Sequence, residues 1–366
     1  MQTVLRAKRN TIKYRRFTDY DDPSKFCRRE YQGCKTRGND VYLQNELRDT
    51  TSNWFYWAFC VEGAAGETIT FHFGENRVGY WGAAVSHDLK TWKWLNERDG
   101  ESFRYTFGEK ENKVYFAHNM LYHPDRFLAF CQKNGVQVTE FCKSEKGRSV
   151  PCVTVGNGEK KIVLTARHHA CEATGDYVLE GVLEELVARP MPNTTVFCVP
   201  FMDYDGVVDG DQGKDRAPHD HNRDYIDEPI YQTTKKLQEY VKDGCLYAFD
   251  FHSPWHLGGR NDVEFIVQNS VERVPRFNAF GEIFERETAG LAFRHFHKND
   301  LPFMEGWNQP SANCGAYMSR RKGNELAFSL ETPYFGTEDN KVSQENLKEL
   351  GKAFAKALKG YEAKRG

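Results

Sequence analysis

The sequence predicts an α/β protein in two parts: an N-terminal antiparallel β-sandwich, then a domain whose mixed, largely parallel sheet is covered by helices. Three observations carry this. Up to about residue 150 the chain is a series of short aromatic, alternating segments separated by Gly, Asn and Asp. Beyond that, apolar strand-like runs alternate with helical periodicities. The final stretch, QENLKELGKAFAKALKGYEAKR, carries Leu347, Leu350, Phe354 and Leu358 on one stripe, as a helix covering a sheet face does. The texture change divides the chain into residues 1–140 and 141–366.

Composition sets the outer limits. The chain has 366 residues, enough for two domains, with 39% hydrophobic and 14% aromatic residues to build a core. A net charge of −2 offers no general attraction for nucleic acid or a membrane surface. No apolar run is long enough to span a bilayer. The basic start MQTVLRAKRNTIKYRRF has no apolar core of the kind a secretory signal needs. The ten cysteines are scattered, without a C-x-x-C pair, and suit reduced thiols in a cytoplasm.

In the first part, the aromatic run TSNWFYWAFCVEG reads as a strand. ETITFHFGEN puts Ile69, Phe71 and Phe73 on one face. KTWKWL, FRYTF and NKVYFAH continue the pattern. Trp54, Trp57, Trp81, Trp92 and Trp94 suit core packing better than a sugar-binding platform. LYHPDRFLAFCQKNG reads as a helix with Tyr122, Phe127, Leu128 and Phe130 as apolar positions, and SEKGRSVPCVTVGNG as a turn-rich connection.

In the second part, KIVLTA, TTVFCVPFMD, CLYAFDFH, VEFIVQ and ELAFSLE read as strands. Helices are expected through Leu186, over TTKKLQEYVK and over VPRFNAFGEIFERETAG. The ends of these strands carry the chemistry. ARHHACE follows the first strand, and its His169 and Glu172, three apart in a turn entering a helix, can face one point. A nitrogen and a carboxylate there make half of a catalytic zinc site. His252 stands at the end of CLYAFDFH, with Asp250 placed to orient an imidazole and His256 as the competing ligand. The charged loop Val199 to Tyr225 contains Asn222 and Arg223, a fork of donors suited to a carboxylate. Its many Asp residues also allow a calcium loop, although their spacing does not fit the EF-hand. Glu331 ends the apolar run of ELAFSLE, where a carboxylate can move protons at a metal-assisted reaction.

In order, ARHHACE, DYDGVVDG, DHNRDY, FDFH and FSLET resemble the zinc carboxypeptidases (funnelins), and most closely their cytosolic carboxypeptidase-like branch. The likeness implies a carboxypeptidase-like catalytic domain over residues 141–366, preceded by a β-sandwich, and one zinc per chain held by His169, Glu172 and His252. It implies that Asn222 and Arg223 hold the substrate's terminal carboxylate, and that Glu331 is general base and then acid. The family's carbonyl-polarising arginine falls here on Gly213, a departure, which leaves Lys214 or Arg216 for that role. Tyr317 is nearest to the family's mobile tyrosine. Cys171, beside Glu172, is a possible fourth ligand that a turn would point away. The implied activity is that of a cytoplasmic metallopeptidase cutting the last peptide or isopeptide bond of a peptide or protein. The alternative is an amidohydrolase for N-acyl amino acids or cell-wall peptides, and a catalytically dead binding module is disfavoured by the complete set. Arg260, Arg286, Arg294, His295, His297, Arg320 and Arg321 lie in the segment that lines the family's specificity pocket, where cations permit an acidic side chain.

Overall fold

The computed structural model describes residues 13–16, 35–45, 47–254 and 262–365. Cys27, Cys34, His256 and Arg260 lie outside the described residues. The N-terminal strands are β1 (Lys13–Arg16), β2 (Lys35–Arg37), β3 (Asp40–Tyr42), β4 (Ala58–Glu62), β5 (Thr68–His72), β6 (Ala84–Ser86), β7 (Lys93–Trp94), β8 (Ser102–Thr106) and β9 (Lys113–Ala117). They form two sheets, in the orders β1-β4-β9-β6-β7 and β2-β3-β5-β8. All neighbours are antiparallel except β3 and β5.

Alternation explains why the two sheets face each other. In β5, Ile69 and Phe71 are buried while Thr68, Thr70 and His72 are half-buried. Phe71 and Phe103 from one sheet pack with Phe59 and Phe116 from the other, ring centroids 5.1 to 5.8 Å apart. The opposite face of the five-stranded sheet, through Ala58, Cys60, Tyr115 and Ala117, joins the core of the second part. Trp57, Trp92 and Trp94 are buried; Trp54 and Trp81 are partly so.

Helix α1 (Pro124–Lys133) follows, capped by the His123 side chain and started by proline. Phe127 and Phe130 are buried, but Leu128 is 44% exposed and no part of the apolar face. Next come β10 (Val138–Lys143) and β11 (Ser149–Gly156), an antiparallel hairpin with a bulge between Glu140 and Cys142. The segment read as a connection is therefore mostly a strand.

The remaining elements are β12 (Lys160–Ala166), α2 (Thr174–Ala188), β13 (Thr194–Val199), α3 (Tyr204–Asp209), α4 (Gln232–Tyr240), β14 (Tyr247–His252), β15 (Phe265–Val267), α5 (Val274–Glu287), α6 (Cys314–Ser319), β16 (Leu326–Glu331) and α7 (Gln344–Arg365). The sheet runs β10-β11-β13-β12-β14-β16-β15. Its four central strands are parallel, and its edges antiparallel. The central strands are continuous apolar runs because helices cover both faces. From β12 the chain goes to β13 on one side and later to β14 on the other. That topological switch opens a crevice at the carboxyl ends of β12 and β14. No helix among the described residues is long and apolar enough to cross a membrane.

Helices α2 and α7 cross at backbone contact. A methyl group on Gly351 would lie 2.0 Å from the Val178 carbonyl oxygen, and one on Gly181 would lie 2.1 Å from that of Lys348. The crossing holds Leu347, Leu350, Phe354 and Leu358 fully buried. In a free helix Gly→Ala is worth about 1 kcal/mol of stabilisation. Here the clash reverses the sign, and Gly351→Ala is expected to destabilise by about 1–3 kcal/mol in denaturant unfolding. A variant as stable as the parent would contradict this close crossing.

Candidate active site

The site starts from a turn the chain adopts only under constraint. Arg167, the residue after β12, has a φ of 57°, in the left-handed region that non-glycine residues rarely occupy. Its guanidinium is buried and fixes the turn. Nε donates to the Ala170 carbonyl at 2.9 Å, and Nη1 donates to the Asp176 carboxylate at 2.7 Å. Burial pushes the Asp176 carboxyl up to about 7, against the pull of Arg167. The turn sends His168 beneath the crevice and His169 and Glu172 into it.

His169, Glu172 and His252 meet there, each offering an atom within 4.8 Å of the others, and all three are buried. His169 Nδ1 lies 2.9 Å from Glu172 Oε1, and His252 Nδ1 lies 2.7 Å from Glu172 Oε2. The far nitrogens face other carboxylates. His252 Nε2 is 2.6 Å from Asp250, and His169 Nε2 is 3.6 Å from Asp220. Asp250 also holds His168 Nδ1 at 2.8 Å, while His168 Nε2 meets the Tyr225 hydroxyl at 2.6 Å. Burial opposes charge on His252, but Asp250 and Glu172 override it and hold its pKa well above the usual imidazole range. Burial likewise opposes charge on Glu172, and Lys214, His169 and His252 bring its pKa well below the carboxylate range.

These donors fit a divalent metal. Two imidazole Nδ1 atoms and one carboxylate converge, and carboxylates back the outer nitrogens, as at metal-ligating histidines. Glu331, at the end of β16 and in register with His252, is buried, and its Oε2 has no hydrogen-bond partner. Burial pushes its pKa up to about 7. Cys171 is not in this group. Its Sγ lies 4.0 Å from the Tyr334 hydroxyl, and burial pushes the thiol up to about 12.

Lys214 and Arg216 are separated clearly. Gly213 between Gln212 and Lys214 has a φ of 74°, and a Cβ there would lie 2.1 Å from the Ala170 nitrogen. No side chain can leave the backbone at that position. Lys214 reaches the crevice instead, its Nζ 2.5 Å from Glu172 Oε1 and 4.6 Å from the centre of the Trp54 ring. Arg216 is held away by Asp203 at 2.7 Å, Asp49 at 3.0 Å and Asp211 at 3.3 Å. The other acidic residues of the loop are also engaged: Asp205 and Asp209 pair with Arg148, Asp224 with His219, Asp220 faces His169, and Asp215 accepts from Trp54 Nε1. Among the described residues this leaves no open acidic cluster of the kind a calcium loop requires.

The cleft encloses about 420 Å³. Asn222 and Arg223, in a single turn of 3₁₀ helix, line one end. Asn222 Oδ1 accepts from the Cys314 backbone at 3.0 Å, and its Nδ2 is 3.4 Å from His252 Nε2. Arg223 is exposed, and its guanidinium donates to the Asn222 carbonyl at 3.0 Å. Gln268, Asn269, Asn308, Gln309 and Asn313 make an amide-rich wall. Of the cationic residues suggested for that wall, none among the described residues lines the cleft. Arg294 pairs with Glu285, Arg321 lies over the Tyr317 ring, and His297 pairs with Asp300. Tyr317, engaged by Arg321, does not line the cleft either.

Trp54, expected in the core, lines the cleft instead, and Asp49, which carried no expectation, holds the loop beside it. Asp49 accepts from the backbone of Gln212 and Gly213 at 3.0 and 2.8 Å, and Trp54 Nε1 donates to Asp215 at 3.0 Å. The N-terminal part thus fixes the loop bearing Lys214 and supplies one cleft wall. Trp54 carried no local signal, since an aromatic in a strand-rich stretch is ordinarily core.

The architecture defines a class: this is the fold of the metallo-carboxypeptidases. The metallo-carboxypeptidase of Burkholderia cenocepacia superposes with a TM-score of 0.76 at 18% identity, over 97% of this chain and all of that one. No family model matches the chain. It is 27% identical over 353 residues to an uncharacterized protein of Zymomonas mobilis, covering 86% of this chain and 89% of that protein. It is 26% identical over 330 residues to cytosolic carboxypeptidase 2 of Xenopus tropicalis, covering 75% of this chain but 32% of that protein. The chain thus spans about a third of the length of that relative. The resemblance read from the order of the motifs extends to the fold as a whole.

The separation of Lys214 from Arg216 predicts a stability effect. Arg216→Met leaves the Asp203 and Asp49 carboxylates without their cation, while Asp211 keeps Arg48, and is expected to cost about 3–5 kcal/mol in urea unfolding. Parental stability would show that Arg216 is not the structural centre of this loop.

Proposed function

We propose that the chain is a zinc-dependent carboxypeptidase that removes the C-terminal residue of a peptide or protein. The observation that carries this reading is the convergence of His169 Nδ1, His252 Nδ1 and Glu172 beside a buried carboxyl, Glu331, with Asn222 and Arg223 lining the same cleft. His169, Glu172 and His252 would hold the zinc, which would supply Lewis-acid activation of water and of the scissile carbonyl.

The chain's own residues do the rest. Arg223 and Asn222 dock the free α-carboxylate through charge-assisted hydrogen bonds, which sets the last peptide bond over the ligand cluster. Burial that raises Glu331 to about 7 poises it to take a proton from water and return it to the leaving amine near neutral pH. Lys214 is held charged by Glu172, whose attraction outweighs the burial that opposes it. It donates to oxygen as negative charge develops there, the role the resemblance gives to an arginine. The likeness of fold to metallo-carboxypeptidases supports the reaction class. The amide-rich wall supports a polar, uncharged or hydrogen-bonding terminal side chain over a purely apolar one.

Two measurements test the reading. Glu331→Gln keeps the shape and removes the base, so turnover is expected to drop by roughly 10²–10⁴-fold; activity within a few-fold of the parent would remove Glu331 from this role. One peptide compared with a free and an amidated C-terminus reads the fork. Hydrogen bonds to charged groups are worth about 1.5–3 kcal/mol, so amidation is expected to lower kcat/KM at least about tenfold. Equal rates would leave an amidohydrolase or endopeptidase in place of a carboxypeptidase.

A further inference from the structure

We propose a second, structural metal site at the edge of the seven-stranded sheet, formed by His295, His297 and Asp300 with Glu264 behind them. It stands independently of the reaction proposed for the cleft.

The segment after α5 turns back along edge strand β15. Leu301 N donates to Ile266 O at 2.8 Å, and Asp300 Oδ1 accepts from Ile266 N at 2.9 Å. This return brings four titratable side chains together. His295 is fully buried, and its ring stacks on Phe284 at 4.6 Å. Neither of its nitrogens has a hydrogen-bond partner. Glu264, 1% exposed, has its Oε1 unpartnered as well. Buried polar atoms are satisfied in the great majority of cases, so two such groups side by side call for an explanation.

The spacings supply one. His295 Nδ1 faces Glu264 Oε1 at 3.5 Å, and Nε2 faces Asp300 Oδ1 at 3.6 Å. His297 Nδ1 is 2.7 Å from Asp300 Oδ2. His295, His297 and Asp300 each offer an atom within 4.8 Å of the others. Ligands bonded at about 2.1 Å to a tetrahedral zinc lie about 3.4 Å apart. The His295–Asp300 gap is therefore long for a hydrogen bond and close to a ligand-to-ligand separation. With Nε2 on the ion, Nδ1–H is left to donate to Glu264, the arrangement in which a carboxylate fixes the orientation of a metal-bound imidazole. The His297 side chain is 24% exposed, which gives water a place in the coordination and the ion a way in. The mixed nitrogen and oxygen set suits zinc. The ion would pin the turn at 295–301 to β15, whose Val267, with Gln268 and Asn269 after it, lines the cleft.

The test uses the full-length chain, stripped with a chelator, reloaded with zinc chloride, dialysed and assayed by elemental analysis. His297→Ala is expected to hold one zinc fewer per chain than the parent, with an unchanged far-UV circular dichroism spectrum. His252→Ala, which breaks only the cleft set, is expected to keep the zinc of this site, whether or not the cleft binds metal. Equal zinc content in parent and His297→Ala, or no zinc in His252→Ala, would overturn the proposal. If His297→Ala does not fold, amide exchange in His252→Ala decides: zinc is expected to slow exchange across residues 295–301, and unchanged exchange would overturn the site.

Discussion

One buried carboxylate organises the cleft. Glu172 is 1% exposed and takes His169, His252, Lys214 and the backbone nitrogen of Ser253 on its two oxygens. A carboxylate removed from water is costly unless paired and hydrogen-bonded, so its partners are drawn in from wherever the chain can supply them. They come from the turn after β12, the end of β14 and the loop after α3. Those three stretches are held in one place because one charge requires them there.

The scaffold makes this arrangement possible at two levels. Parallel strands β12, β14 and β16 end side by side, so residues far apart in sequence, His169, His252 and Glu331, face one crevice. The backbone then closes the remaining distance. Arg167 holds a left-handed turn by bonding Ala170 and Asp176, and Gly213 lets the next loop pass against Ala170 where no side chain fits. Asp49 and Trp54 of the N-terminal part fasten that loop from outside. The β-sandwich is in this sense part of the cleft, and its loss would release Lys214.

How much of this was legible in the sequence follows from range. Helix α7 was readable to its ends because its stripe of Leu and Phe is a local, periodic signal. The apolar runs of β12, β14 and β16 were legible for the same reason, and with them the residues at their ends. Strand β11 was not, because its glycine and proline neighbours suggest turns, and its strand character comes from pairing with β10 and β13. The choice between Lys214 and Arg216 was not legible either, since it depends on a 2.1 Å clash at Gly213 and on three carboxylates gathered from separate segments. The cations between β14 and β16 suggested an acidic-side-chain pocket, but those among the described residues turn to other partners and leave the wall to amides.

The proposed metal centre takes its protein ligands from the two Nδ1 atoms and the Glu172 carboxylate. The most direct measurement is a crystal of the zinc-loaded protein with diffraction data on either side of the zinc absorption edge. An anomalous difference peak bounded by His169 Nδ1, His252 Nδ1 and the Glu172 carboxylate, with Lys214 no longer on that carboxylate, is the predicted result. No peak at that position, with the three side chains still bonded to one another, would contradict the account.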